Sequence, residues 1–465
     1  MTHTVLAIDQ GTSSTKAMVV GPERDVLGSA AADARPRYGS DGSVEVDPEG
    51  MLRSVLDAGR QAVARAGEPR IDAIGLANQG ETVLAWDPAT GRPLTPAISW
   101  SDRRAASICA ELRGMADELR RITGLPLDPY FAAPKMTWIR RHLTRDGVVT
   151  TTDAWLVDRL TGEFVTDAAT AGRTQLLDLD EVAWSPTAVD AFGLAGERLP
   201  RIVDTMTPVG ETAAFGARAP VTALLPDQQA ALLGAGATRP GRAKCTYGTG
   251  AFLVTPTGST AHRPTTDLAS CVAWRRAGRT RYCLDGQVQS AGSVVQWLVD
   301  NGVLGAATEL DAVGGTVPDR AGVTFVPNAD GPLGRLVGAA GDTQPGHVVR
   351  AVVEAIAVQV VLIAEAVGAE VGRPLDHVRA DGGLSRSRLL MQAQADLLQQ
   401  PVAVAAVADG TALGIAAAAR LGLDAGLDLD HGGPPWQPAA TYEPRISAAA
   451  AGERVAAYRT ALAAS

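Results

Sequence analysis

Cysteine, histidine and aromatic residues are all scarce in this chain of 465 residues. The four cysteines, Cys109, Cys245, Cys271 and Cys283, show neither C-x-x-C spacing nor the density of a disulfide scaffold. A reduced, cytoplasmic enzyme is the expectation. Six histidines (His3, His142, His262, His347, His377, His431) are scattered without ligand spacing, which argues against structural zinc. Basic residues are outnumbered, 42 against 51 acidic, and the net charge of −9 argues against a nucleic-acid partner. No basic-then-apolar leader precedes the first apolar run. The longest apolar helical stretch, residues 355–364, is interrupted by Gln359 and bounded by Glu354 and Glu365. It falls short of the ~20 residues that span a bilayer, so a buried core helix and no membrane partner are expected.

What the chain has in quantity is glycine, 50 residues of it, which suits close backbone packing and tight turns. A 46% hydrophobic and 20% charged composition is that of an ordinary globular protein, long enough for two or three domains. Two glycine loops carry chemistry. Val5-Leu6-Ala7-Ile8-Asp9-Gln10-Gly11-Thr12-Ser13-Ser14-Thr15-Lys16 leads into Ala17-Met18-Val19-Val20. Cys245-Thr246-Tyr247-Gly248-Thr249-Gly250 leads into Ala251-Phe252-Leu253-Val254. Each reads as strand, tight loop, strand. Such loops turn N–H groups and hydroxyls toward one anion, and the pair suggests a nucleotide triphosphate held from two sides.

The order of elements around the two loops repeats. In the first half Asp47-Pro48 announces a helix, with apolar positions at helical spacing from Met51 to Val63. Residues 71–76 and 97–100 read as strands, another strand ends at Trp86, and Ser101-Asp102-Arg103-Arg104 starts a helix. After a turn-rich hinge at residues 238–242 come strands at 282–285, 377–380 and 402–404. Helices are expected through Val294 and Leu298, over 351–367, over 387–398 and over 412–421. Two duplicated mixed α/β domains with a cleft between them follow, divided into residues 1–239 and 240–465.

With these pieces in place the chain resembles the FGGY carbohydrate kinases, closest to their glycerol kinase branch, over nearly its whole length. Asp9 to Ser14 is similar to the first phosphate hairpin and Tyr247-Gly248-Thr249-Gly250 to the second. Asn78-Gln79-x-Glu81-Thr82, Trp86-Asp87 and Trp100 to Arg104 resemble sugar-side elements. Thr123 to Leu127, Tyr130-Phe131, Lys135 to Trp138, Asp153 to Leu156 and Thr166-Asp167 resemble one family signature. Gly334-x-Leu336-x-Gly338 with His347-Val348 and the run to Glu354 resembles another. Asp227-Gln228-Gln229 resembles the catalytic segment, and Asp381-Gly382-Gly383 with Ser387 the adenosine motif. The resemblance implies two actin/hexokinase-like (RNase H-like) domains. It also implies ATP and Mg2+ as cofactors, a small polyol or sugar as partner, and is compatible with a homodimer. Three departures stand out. Gly80 takes the place of an arginine, Ala132 that of a proline, serine or threonine, and residues 327–338 form a shortened loop.

What the resemblance implies for single residues can be set beside plainer alternatives. Asp227 would be the base that accepts the proton of an attacking hydroxyl; alternatively it opens a helix as its N-cap. Asp9 would hold metal-bound water, or satisfy turn N–H groups. Gly11, Thr12, Ser13, Ser14, Gly248 and Thr249 would contact phosphate. Lys16 would add charge there, or be a solvated hairpin lysine. Glu81, Trp100, Tyr130, Asp227 and Gln228 would form the acceptor pocket, the two aromatic rings alternatively being ordinary core. Gly292, Gln296, Gly383 and Ser387 would face the nucleotide, the glycine pair alternatively being a turn. The missing arginine at position 80 points to an acceptor of four or five carbons. A nucleotide-driven binding module of actin or chaperone type and a sugar-sensing pseudokinase are the competing functions. No dinucleotide fingerprint or Walker loop is present.

Overall fold

A computed structural model describes residues 3–328, 334–407, 409–429 and 436–464. The middle of the shortened 327–338 loop and His431 lie outside the described residues. In the first half, β1 (Val5–Gln10), β2 (Ser14–Val20), β3 (Val26–Asp33), β4 (Ala73–Asn78), β5 (Met206–Thr212) and β6 (Ala219–Pro226) form one sheet. Its spatial order is β5-β6-β4-β1-β2-β3. In the second half, β7 (Arg242–Tyr247), β8 (Ala251–Gly258), β9 (Ala269–Arg276), β10 (Arg279–Val288), β11 (His377–Asp381), β12 (Val402–Ala405) and β13 (Pro438–Tyr442) form another. That order is β9-β10-β8-β7-β11-β12-β13.

The duplication expected from pattern is visible in these orders. β3-β2-β1-β4-β6 matches β10-β8-β7-β11-β12, with the leading strands antiparallel and the later two added in parallel. Each phosphate-type loop joins the first two strands of its sheet; Asp9 sits opposite Lys16, and Tyr247 opposite Ala251. A further five-stranded sheet, built from Arg37–Tyr38, Val44–Val46, Ala97–Ile98, Val83–Trp86 and Val148–Thr151, is inserted in the first half. Its connections carry Glu81 and Trp100.

The helices begin where their capping chemistry dictates. In α1 (Pro48–Arg65) the Asp47 carboxylate accepts the Glu49 N–H at 3.2 Å, with Pro48 in the first turn. Around Ser101 the expectation of a helix start fails, and the next helix begins at Ala106. There the Asp102 carboxylate accepts from the Val44 N–H and from Arg104, which holds the segment as a turn. α3 (Pro345–Val371) is longer than the sequence pattern predicts. Two further helices matter: α2 (Asp227–Gly234), ahead of α3, and α4 (Gly410–Leu423), after it. By length and composition α3 alone among the described residues could cross a membrane, yet it is mostly buried inside the molecule. Its interruptions are anchored laterally: Glu354 pairs with Arg320 and Arg454, and Glu365 with Arg459.

One buried cluster joins the halves, running from Val5 and Ala7 through Val254 and Cys271 to Ile415 and Ala418. Within it α2 and α4 cross backbone to backbone. A Cβ placed on Gly414 would lie 1.7 Å from the Ala230 carbonyl oxygen, and one on Gly234 2.0 Å from that of Gly410. Gly414→Ala is therefore expected to force the helices apart and cost about 3 kcal/mol, read as a lowered urea midpoint. Gly452→Ala is the control, since nothing lies within 4 Å of its added methyl group. It is expected to leave stability unchanged or raise it by about 0.5–1 kcal/mol.

Candidate functional site

β1 ends at the first loop, and the Thr12 hydroxyl there accepts a hydrogen bond from the Trp100 indole N–H at 2.9 Å. Trp100 in turn meets the Tyr130 ring edge-on, with centroids 5.7 Å apart. Tyr130 is set in place by Lys135, whose buried ammonium donates to the carbonyls of Pro129, Tyr130 and Phe131 at 2.8, 2.6 and 2.6 Å. The Gln228 amide donates to the Tyr130 hydroxyl at 3.4 Å. Glu81, Trp100, Tyr130, Asp227 and Gln228 are thus brought together. Tyr130 belongs to the buried core and Trp100 packs against it, as the plainer reading of the two rings expects.

Asp227 is the first residue of α2, and Pro226, not Asp227, occupies the N-cap. The helix-capping alternative therefore fails. Burial pushes the Asp227 carboxyl up, with the Gln228 N–H, Lys244 and Arg173 pulling it back. Asp9 is pushed up to about 7, first by burial and next by the charge of Asp227, so the two carboxylates share one gap. Asp409, at the start of α4, raises Asp9 further, while Lys16 and Lys244 lower it. Lys16 is not a free solvated lysine: its Nζ lies 2.9 Å from Asp409 Oδ1, across the two halves.

Gly248, Thr249, Gly292, Gln296, Gly383 and Ser387 all line one cavity of ≈ 700 Å³ in the second half. The Gly292 and Ser293 N–H groups donate back to the carbonyls of Gly248 and Thr249, which ties the helix Gly292–Asp300 to the second loop. Ser387 also caps the helix Arg388–Leu398, accepting from the Leu390 N–H at 3.1 Å. In the glycine pair, Gly382 is the constrained member, with φ +91° and the Tyr247 carbonyl oxygen 2.4 Å from any Cβ. Gly383 stands open to the cavity.

Sequence reasoning missed Arg173, Lys244, Asp285 and Asp409. Lys244 lies 3.4 Å from Asp381 and is 5% exposed. Lys244 and Asp285 sit in strands that carry other polar and charged residues, so neither stood out. Arg173, in the loop after Ala168–Ala171, had no signal either. Its guanidinium reaches Glu81, Asp285 (3.0 Å) and the Tyr130 hydroxyl (3.2 Å). Gln228 Oε1, Gln229 Oε1 and Asp285 Oδ1 are buried without a hydrogen-bond partner among the described residues, and such acceptors suit a hydroxyl-rich ligand. Among the described residues no group of three or more metal-ligating side chains exists.

Comparison with known proteins agrees with this geometry. Residues 4–234 match the model of the N-terminal domain of the FGGY family of carbohydrate kinases, and residues 243–423 that of its C-terminal domain. A glycerol kinase of Aromatoleum aromaticum is 38% identical over 466 residues, covering 95% of this chain and 94% of that protein. Plasmodium falciparum glycerol kinase, solved with ADP, superposes with a TM-score of 0.93 at 26% identity, covering 100% of this chain and 98% of that one. A xylulose kinase from Rhodospirillum rubrum gives 0.88 at 25% identity, covering 99% and 98%.

The buried carboxyls make stability depend on pH. Asp9 and Glu81 titrate near 7 and Asp167 near 6 in the folded protein, above their ordinary values of 3.8, 4.5 and 3.8. Between those limits the folded state holds more protons than the unfolded one, so stability falls as pH rises. Lys135, pushed down to about 7 by burial, is charged in both states below that pH and does not enter the window. The ligand-free protein is expected to show a falling Tm by calorimetry from about pH 5 to about pH 7.

Proposed function

The chain belongs to the FGGY family of carbohydrate kinases; on that premise we propose that it moves the γ-phosphoryl group of ATP to a primary hydroxyl of a small polyol or ketose. The observation that carries the proposal is the shared position of Asp227. On one side its charge raises the carboxyl of Asp9, near the end of β1, so the two groups lie close together. On the other, its neighbour Gln228 touches the Tyr130 hydroxyl of the acceptor pocket. An alcohol lying between would have its proton within reach of a carboxyl that burial has made more basic than usual. Phosphoryl transfer needs little more from a protein than positioning and charge stabilisation.

Residues 1–239 would hold the acceptor and residues 240–465 the nucleotide. In the second half, Gly248, Thr249, Gly292, Gln296, Gly383 and Ser387 would surround the nucleotide, their common cavity supporting that role. Gly11, Thr12, Ser13 and Ser14 would meet the phosphates from the first half, and Lys16 would exchange Asp409 for them. Mg2+ is the metal that fits: Asp9 is a single carboxylate facing the phosphate loop, and this ion keeps most of its waters and takes few protein ligands. Bound there, it would neutralise phosphate charge; Asp9 would accept from its waters. A cytoplasmic setting is supported by three buried free thiols.

One observation favours acceptors longer than three carbons. Nothing lies within 4 Å of where a Cβ of Gly80 would stand. Coupled ATP consumption is expected with four- and five-carbon polyols and ketoses at kcat/KM no lower than with glycerol. Glycerol winning by a wide margin defeats the chain-length reading. Asp227→Asn is expected to lower kcat about 100- to 10,000-fold while leaving KM for ATP nearly unchanged. Full turnover by that variant defeats the assignment of the base.

A further inference from the structure

We propose that Arg173 is the positioning residue of the acceptor site, its guanidinium fixing the Glu81 carboxylate and the Tyr130 hydroxyl of the first half against Asp285 of the second. The inference rests on the kinase reading above and adds a residue to it.

The geometry is that of a three-way clamp. Arg173 is 2% exposed, and its donors are divided between Glu81 (Nε), Asp285 (Nη1, 3.0 Å) and Tyr130 (Nη2, 3.2 Å), with Cys271 Sγ 3.6 Å from Nη1. The fork shape of a guanidinium serves several fixed acceptors at once, which an ammonium cannot do. The cation also stands over the Tyr130 and Phe131 rings, 5.6 and 5.7 Å from their centroids.

An ordinary structural ion pair does not account for what surrounds it. A buried pair is often no more stabilising than apolar packing. Here one cation faces two buried carboxylates, and one of them sits on strained backbone: Glu81 has φ +40°, directly after Gly80 at φ +62°. A non-glycine residue in that region costs of order 1–3 kcal/mol and persists where its surroundings over-determine it. The free edges of the clamp also point to ligand. Asp285 lines the acceptor-side cleft with Tyr130, and its Oδ1 has no partner among the described residues. The Tyr130 hydroxyl is shared with Gln228, next to the proposed base.

The charged neighbours of Glu81 decide what removal of Arg173 does. Burial raises the Glu81 carboxyl, Arg173 is the strongest influence lowering it, Asp227 raises it and Lys135 lowers it. Tyr130, Asp285 and Cys271 complete the ring of titratable groups around the clamp. Without Arg173 the carboxyl is left to burial and to Asp227, with Lys135 the only cation opposing them. It then takes up a proton and loses half of its accepting capacity for substrate hydroxyls.

The test uses the full-length protein at pH 8 with the best acceptor from the panel above. Arg173→Met is expected to raise acceptor KM on the order of 100-fold, while KM for ATP stays within about twofold. Raising the pH should recover part of the loss as Glu81 ionises. Arg173→Lys should fall between the two proteins. Glu81→Gln should show a raised KM that does not respond to pH, and adding Arg173→Met to it should cost little more, because both act through one carboxylate. Infrared spectra give a readout independent of turnover: Arg173→Met should gain the band of a protonated buried carboxyl, absent from the wild type and weaker in the double variant, which keeps Asp285 but not Glu81. Acceptor and ATP KM rising together, fully multiplicative effects in the double variant, or no new carboxyl band would each overturn the proposal. ATP consumption by no acceptor at all would instead overturn the kinase reading, with the infrared band still reporting on Arg173.

Discussion

The crossing of α2 and α4 fixes the rest of the site. Two helices from different halves can approach this closely only where Gly234 and Gly414 leave out a side chain. Once the crossing is set, so are the helix starts. Asp227 is the first residue of α2 and Asp409 holds the N-cap position of α4, and both act on the strands flanking the first phosphate-type loop, one through Asp9 and the other through Lys16. A helix start also carries unpaired N–H groups and partial positive charge, so each half offers an anion a similar reception.

Charge is unevenly distributed in that gap. Asp9, Asp227, Asp381 and Asp409 gather around Lys16 and Lys244, and burial raises the carboxyls of both Asp9 and Asp227. A bare triphosphate would meet more carboxylates than cations. A divalent cation arriving with the nucleotide reverses that balance, and it favours the ionised form of the carboxyl that receives it. On the proposed reading, a requirement for metal would follow from the protein's own charge as much as from the phosphate's.

The repeated element order and the phosphate-type loops were legible because they depend on local patterns: β-branched runs around glycine, and capping residues ahead of apolar periodicity. Asp47-Pro48 is where α1 begins, and Ser387 caps its helix, as their residue types dictate. Ser101 misled, because the Asp102 carboxylate found a partner 58 positions away, in the Val44 N–H, and held a turn instead. Arg173 was invisible for the same reason: its partners lie 92, 112 and 43 positions away, and nothing in its neighbourhood announces them. Residues that contact one ligand through one loop can be read from sequence, whereas those that bind two halves together cannot.

The two ends of the site differ in how firmly they join the halves. At the acceptor end the bridge is Arg173 to Asp285, both sealed from water, where losing either partner strands a buried charge. At the phosphate end the bridge is Lys16 to Asp409, whose side chains are 47% and 36% exposed. A pair so exposed contributes about 0–1 kcal/mol and yields readily to a competing anion. The cavity proposed for the nucleotide, moreover, is built from the second half alone. The weak bridge is not what joins the halves there: α4, which begins beside Asp409, packs on the first sheet, where a Cβ on Gly75 would lie 2.6 Å from the Ile415 carbonyl oxygen. On the proposed reading, phosphates would take Lys16 from Asp409 without parting the halves, and the acceptor pocket would stay assembled while nucleotide comes and goes. Water would then be excluded from the γ-phosphoryl group only when an alcohol has its place beside Asp227.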